Sequence, residues 1–413
     1  MPRQVLAIFI GLLITAGILG GVWFKLSQGK AAAGAQDTIN LAESQARDGQ
    51  WQQAIQTATP LADAAPTLEL RQRVWMLLAE AHTAAQASLE ATRMYQRLAD
   101  EARDPSLRGR ALYELALRAL AAGQVDVAEG HFNRLGEIGA ADFTEHRLYG
   151  QGRIAEARGD AEAARALYRQ ARQADPLSPI VNEIEDRLSG LNLDVLFSLT
   201  LEGDDELYVI QRGDTLDRLG RRFGVSASLI ERVNNLNPRN LQINRRIKIP
   251  RRDFRVEIYK DDFTLLVFNG DEFYARYPIR VGREEYMTPL GEFHIEARSV
   301  NPAWNDPVTG RNVAPGAPDN ELGTRWMGFR EMPSIGIHGT IQPDTIGTRA
   351  SNGCIGLRNS DVEELFDLLP RGTEVTIYQS RVAAEAARTA RTPPPPAPAT
   401  ASPESMPGAP ANG

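Results

Sequence analysis

The sequence predicts a multidomain fold: an N-terminal transmembrane helix, an all-α repeat solenoid, a small βααβ module and a mostly-β C-terminal domain. Three observations predict it. Twenty uncharged, mostly apolar residues run from Val5 to Phe24. Apolar residues then recur at helical spacing from Gln36 to Gly190, in a stretch rich in Ala, Leu, Arg, Glu and Gln. Beyond Tyr208 short alternating runs punctuated by Gly, Asn and Pro replace that rhythm. At 413 residues, 42% apolar and 24% charged, the chain has material for several cores, and its net charge of −7 argues against a general nucleic-acid partner.

Residues 1–35 read as an anchor or signal segment and linker. The run from Val5 to Phe24 is long enough to cross about 30 Å of hydrocarbon at about 1.5 Å per residue. It exceeds the roughly 7 to 15 residues of a signal h-region, which favours an uncleaved anchor over cleavage near Ala31 to Ala35. In residues 36–190 a phrase recurs after Gly49, Ala85, Gly123 and Gly159, at separations of 36, 38 and 36 residues. That period, with Tyr95 and Tyr168 as expected fillers between units, resembles tetratricopeptide repeats, which stack helix pairs into a solenoid. The small residue at each start is expected to let helices approach, and the region to serve as a spacer or as the seat of a protein partner.

Residues 191–206 read as a linker. Residues 207–251 then give a strand at Tyr208 to Ile210, helices from Thr215 to Phe223 and from Ser226 to Asn234, and a closing strand at Arg246 to Pro250. Gly213-Asp214-Thr215-Leu216, Gly224-Val225-Ser226, Asn234 and Ile247-Lys248-Ile249-Pro250 make this module similar to LysM domains. The resemblance implies binding of N-acetylglucosamine-containing glycans by Gly213, Asp214, Thr215, Asn237, Pro238 and Leu241. Eleven basic and three acidic side chains between Leu207 and Arg252 would attract the carboxylates of wall peptides. Without an aromatic stacking platform they do not suggest nucleic acid.

Residues 253–379 form the mostly-β domain. Phe254, Val256 and Ile258 alternate with Arg255 and Glu257, Asn269-Gly270 suits a tight hairpin turn, and Glu292 to Ala297 reads as a further strand. Ser299 to Glu321 is a long Pro/Gly/Asn-rich loop, the kind that walls a functional groove. Ser360 and Glu363 have capping-box spacing for a helix ending at Leu369. From 380 to 413 the composition turns to Ala, Pro, Thr and Ser, expected to be disordered.

Chemistry concentrates between Ile337 and Arg358. Cys354 is the only cysteine of the chain, and His338 lies sixteen positions before it. A thiol beside an imidazole is a nucleophile with its base. Gly353 and Gly356 free the backbone to turn, so that amides near Cys354 can converge on an oxyanion. A structural buried thiol and a zinc site are the alternatives, the latter short of ligands. His338-Gly339-Thr340 followed by Ser351-x-Gly353-Cys354-Ile355 resembles the signature of the L,D-transpeptidases. Gly282, Thr288 to Phe293, Asn301 to Trp304 and Gly323 to Trp326 match further blocks of that family in order.

The resemblance implies a cysteine acyltransferase that cross-links peptidoglycan stem peptides, needs no metal or cofactor, and works on the periplasmic side of the cell envelope. Cys354 would be the nucleophile, His338 the base, Ser351 its orienting partner, and the amides of Gly353 and Cys354 the oxyanion donors. Gly339, Thr340, Arg349, Arg358 and Trp304 are candidate substrate contacts. Two positions depart from the family pattern: Asn352 stands where a histidine is common, and Gly356 where arginine or asparagine is usual. Arg349 or Arg358 is the expected replacement for the latter. Hydrolysis of the same thioester, by a carboxypeptidase or endopeptidase, and a non-catalytic wall-binding scaffold are the rival readings.

Overall fold

The computed structural model describes residues 29–138, 143–305 and 310–391, and forms two compact units, Met1–Leu191 and Asn192–Gly413. The expected anchor from Val5 to Phe24 lies outside the described residues. Among the described residues no helix is long and apolar enough to cross a membrane.

The first unit is helical: α1 (residues 29–47), α2 (Trp51–Ala58), α3 (Leu61–Ala64), α4 (Leu68–Ala84), α5 (Ser88–Glu101), α6 (Pro105–Ala121), α7 (Val125–Glu137), α8 (Thr144–Ala157), α9 (Ala161–Ala174) and the start of α10 (Val181–Phe197). Residues 29–35, expected to be linker, are therefore helical. Helices pack as pairs, α4 with α5, α6 with α7 and α8 with α9. Tyr95 and Tyr168 are buried in this packing, and Tyr168 lies within its own helix pair, where its hydroxyl donates to Glu156 at 2.7 Å.

The recurring small residues have another purpose than close approach. Gly49, Gly123 and Gly159 have positive φ, and a Cβ there would meet nothing within 4 Å. The equivalent position in the second copy is Gln86 (φ 59°) rather than Ala85. Each is a left-handed residue that ends a helix and lets the next amide close the turn, as Gln124 N–H does on the Ala119 carbonyl at 2.8 Å. Close approach occurs at Gly150 and Gly152 instead, where a Cβ would lie 2.2 Å from the Phe132 ring and 2.5 Å from the Tyr168 ring.

The second unit opens with the last turns of α10 and the βααβ module. Strands β1 (Glu206–Val209) and β2 (Arg246–Ile249) pair antiparallel with Tyr208 opposite Ile247. Helix α11 (Leu216–Phe223) is capped by Thr215 and stopped by left-handed Gly224, and α12 (Ala227–Asn234) is capped by Ser226. Ile210, Leu219, Ile230 and Ile249 make a small core.

The other face of α12 belongs elsewhere: Leu229 and Val233 join the core of the C-terminal domain. Ser226 donates to the Asp367 carbonyl, and Arg232 pairs with Glu364 and Asp367 at 3.3 and 3.2 Å. Nor is the segment 191–206 a free linker. Lys248 Nζ, almost fully buried, donates to the carbonyls of Val195, Leu196, Ser198 and Thr200 and pairs with buried Asp205 at 3.2 Å. A lysine at a helix C-terminus satisfies carbonyls that the helix cannot.

The C-terminal domain is built on an eight-stranded sheet. Its strands in chain order are β3 (Phe254–Tyr259), β4 (Thr264–Asn269), β5 (Glu272–Pro278), β7 (Gly291–Val300), β10 (Arg325–Phe329), β11 (Gly336–His338), β13 (Ile355–Gly356) and β14 (Glu374–Tyr378). Their order across the sheet is β13-β11-β10-β7-β14-β3-β4-β5. The remaining strands form two short pairs, β6 (Val281–Gly282) with β12 (Arg349–Ser351) and β8 (Trp304–Asn305) with β9 (Asn312–Val313). Helix α13 (Asn359–Leu368) packs its Val362 and Leu365 into the sheet's core.

Two expectations fail here. The capping box does not form: α13 starts at Asn359 after Arg358, with no side-chain cap, and Ser360 bonds Asp361 instead. The tail is not irregular from its start, because α14 (Arg381–Arg391) forms and Arg388 bonds buried Glu257 and Tyr259. The rest of the tail, including Pro393 to Pro396, lies outside the described residues.

Candidate active site

The parallel pairing of β11 with β13 at one edge of the sheet sets Ile337 opposite Ile355 and His338 opposite Gly356, so the imidazole stands on the strand next to the one that Cys354 leads into. Cys354, His338 and Trp304 all line one cleft of about 520 Å³. Ser299, Pro302, Trp304 and Glu321 wall it on one side and Pro333 to Ile335 on another, so the long loop does border a groove. Residues 306–309 of that loop lie outside the described residues.

His338 is buried, and its Nδ1 lies 2.5 Å from the Gly339 carbonyl. A carbonyl can only accept, so Nδ1 carries the proton and Nε2 is left as the basic nitrogen. Burial, then the nearby Arg280 charge, pushes the imidazole down to about 4. Burial likewise pushes the Cys354 thiol up to about 11, opposed by a backbone hydrogen bond from Gly336 and by Arg280. Near neutral pH the pair is therefore a neutral imidazole and a protonated thiol. The thiol contacts the Ser334 carbonyl at 3.7 Å.

Ser351 does not orient the histidine. Its hydroxyl donates to the Cys354 carbonyl at 2.6 Å and accepts from Gly353 N–H at 3.2 Å, tying the nucleophile's own turn. Two expectations change together. The orienting group for His338 is the Gly339 carbonyl, and Gly353 N–H is already bonded to a hydroxyl, so it is not a free oxyanion donor. Gly353 itself has φ +107°.

Of the expected substrate contacts, only Trp304 lines the cleft. Gly339 is a close-approach position, where a Cβ would fall 2.2 Å from Asn359 Oδ1. Thr340 is buried and accepts from Gln342 N–H at 2.9 Å. Arg349 pairs with Asp261, and Arg358 with Asp361 at 3.8 Å. The cation in the cleft is Arg280, which sequence reading missed. It lies far from Cys354 in the chain, and a backbone bridge, Arg280 N–H to Gly356 O at 2.8 Å and Gly356 N–H to Arg280 O at 3.0 Å, together with the pairing of β6 with β12, brings it there.

In the βααβ module, Asp214 Oδ2 accepts from Tyr208 Oη at 2.9 Å and from Gln211 N–H at 2.7 Å, and Thr215 caps α11. Those two residues thus shape the first loop, while Gly213, Asn237 and Pro238 are exposed and Leu241 packs partly against the module core. Among the described residues no group of three or more His, Cys, Asp or Glu side chains is placed to hold a metal.

A family model for the L,D-transpeptidase catalytic domain (YkuD) matches residues 253–377, and one for the LysM domain matches residues 208–250. The chain is 31% identical over 178 residues to the putative L,D-transpeptidase YkuD of Bacillus licheniformis, covering 41% of this chain and 98% of that protein. It is 38% identical over 105 residues to the putative L,D-transpeptidase YqjB of Bacillus subtilis. That match covers 24% of this chain and spans only 57% of the relative's length. Among solved structures, an L,D-transpeptidase from Mycobacterium smegmatis is similar at 15% identity and a TM-score of 0.27, over 33% of this chain and 64% of that one.

Proposed function

The chain belongs to the L,D-transpeptidase family, and from that premise we propose that it cross-links peptidoglycan stem peptides through a thioester on Cys354. The observation that carries this is the unprotonated Nε2 of His338, fixed by the Gly339 carbonyl, in one cleft with the only thiol of the chain. As Cys354 Sγ attacks the donor carbonyl, its proton passes to His338 Nε2 and the carbonyl oxygen takes the negative charge. With Gly353 N–H engaged, the Cys354 amide is the candidate donor to that oxygen. Collapse breaks the amide C–N bond, His338 returns the proton to the departing amine of a terminal D-amino acid, and the thioester remains. An amine of a second stem peptide then attacks the thioester, giving its proton through His338 back to sulfur.

The LysM module supports wall attachment, with Gly213, Asn237, Pro238 and Leu241 as the glycan face and Asp214 and Thr215 shaping it. The run from Val5 to Phe24 would tether the chain to the membrane with both wall-directed domains on the periplasmic side. The tetratricopeptide-like helices would act as spacer or as the seat of a protein partner.

Defined muropeptides incubated with the full chain test the reading. Cross-linked dimers are expected, and a Cys354→Ala variant should make none. Shortened monomers alone would mean hydrolysis, and dimers from the Ala variant would exclude the thioester.

A further inference from the structure

Gly356, where the family usually has arginine or asparagine, is the contact point of the cleft's cation. A Cβ on Gly356 would fall 2.5 Å from Arg280 Nε and 2.8 Å from its Cγ, so the side chain of Arg280 occupies the space that this glycine leaves open. The two-way backbone bridge fixes Arg280 beside the residue two positions after the nucleophile. At the far end, Nη1 donates to Thr345 Oγ1 at 3.0 Å and to Gln342 Oε1 at 3.4 Å, both neutral acceptors. Nε is buried and has no hydrogen-bond partner among the described residues.

We propose that Arg280 is a positioning residue whose charge, seated over Gly356, stabilises the sulfur anion as Cys354 gives up its proton. This rests on the acyl-transfer reading of the cleft. The physical argument is one of unbalanced charge. Arg280 is 3% exposed, and among the described residues no carboxylate lies within ion-pair distance of it. A buried cation without a counter-ion is costly, and any anion formed beside it is favoured. The titratable groups that line the cleft are Arg280, Glu321, His338 and Cys354. Glu321 interacts with Arg280 only at longer range. His338 is disfavoured as a cation by the same charge, so the group that gains from Arg280 is the thiolate. The positive charge thus reaches the cleft from residue 280, across the backbone bridge from Gly356.

The test is the rate of Cys354 alkylation by iodoacetamide, measured on the full chain from pH 7 to 9.5 by intact mass. Only the thiolate reacts, so the line of log rate against pH reports its stability. Arg280→Met is expected to slow alkylation about tenfold at any one pH, a displacement of about one unit. Arg280→Lys keeps the charge and should stay within about threefold of the parent. Gly356→Ala leaves the charge in the chain but pushes the Arg280 stem aside, and is expected to slow alkylation as well, which decides the matter should the Met variant not fold. Coincident lines for the parent and the Ala variant overturn the proposal. So does a Lys variant as slow as a folded Met variant. Alkylation needs no peptide substrate, so this result is independent of whether muropeptides are cross-linked.

Discussion

At the residue scale, a neutral imidazole and a protonated thiol in one cleft fit proton transfer during the proposed attack rather than a resting ion pair. His338 is held down near 4 by burial and Arg280, and Cys354 is held up near 11 by burial. The sign of the pH effect follows. An imidazole depressed below its ordinary value stays a competent base as pH falls through about 6.5 and is lost only near its own depressed value. Acylation of Cys354 by a donor stem peptide, followed by intact mass, is therefore expected to proceed at nearly constant rate from about pH 7 to about pH 5 and to fall below that. An acid limb centred near 6.5 would contradict the placement of His338. The pair itself was legible in the sequence, because a chain with one cysteine offers one thiol and His338-Gly339-Thr340 stands close by. Arg280 was not, since no local pattern marks a residue that reaches the site through a strand bridge. Ser351 was half legible: its nearness to Cys354 could be read, but not that its hydroxyl serves the turn instead of the imidazole.

At the element scale, the helical period was legible and its physical cause was not. Three of the four recurring positions are glycine with positive φ, and the fourth carries Gln86 in the same left-handed conformation. A side chain there is strained by about 1 kcal/mol. Gln86→Gly is expected to stabilise the first unit by roughly that amount, seen as slower hydrogen exchange in α4 and α5, whereas an unchanged or faster exchange would count against the cap. The second unit carries the opposite case in Lys248. Its ammonium serves four carbonyls and faces buried Asp205, and removing one partner of a buried pair costs about 3 to 5 kcal/mol. Lys248→Ala should unfold the second unit at distinctly lower denaturant and release the 198–205 segment to proteolysis. Sequence reading placed Lys248 in the closing strand of the module and left the preceding segment free, because alternation says which face a residue takes and not what lies above it.

At the scale of the whole molecule, the succession of helical region, glycan module and catalytic domain was readable from changes of periodicity. The attachment of the module to the catalytic domain was not, since Leu229 and Val233 look like module core in sequence and pack instead with Leu365 and its neighbours. That attachment bears on how the module's charge is used. Arg232 is paired across the contact, while Lys248 and Arg252 are engaged with Asp205. Arg212, Arg218, Arg221, Arg222, Arg239 and Arg246 remain exposed. A chain of net charge −7 thus keeps exposed cations on the module proposed to attach it to the wall. Attraction between exposed charges is screened beyond about 8 Å at physiological ionic strength, so this contribution should fade with salt while contacts to neutral sugar persist. Sedimentation with purified sacculi is expected to show binding that weakens several-fold between about 0.05 and 0.5 M salt, then levels off above zero. Replacing Arg212, Arg221 and Arg239 by Gln should lower the low-salt binding towards that level and leave Cys354 alkylation unchanged. Binding that ignores salt in the parent chain would assign the arginines to solubility alone and leave attachment to the glycan face of the module.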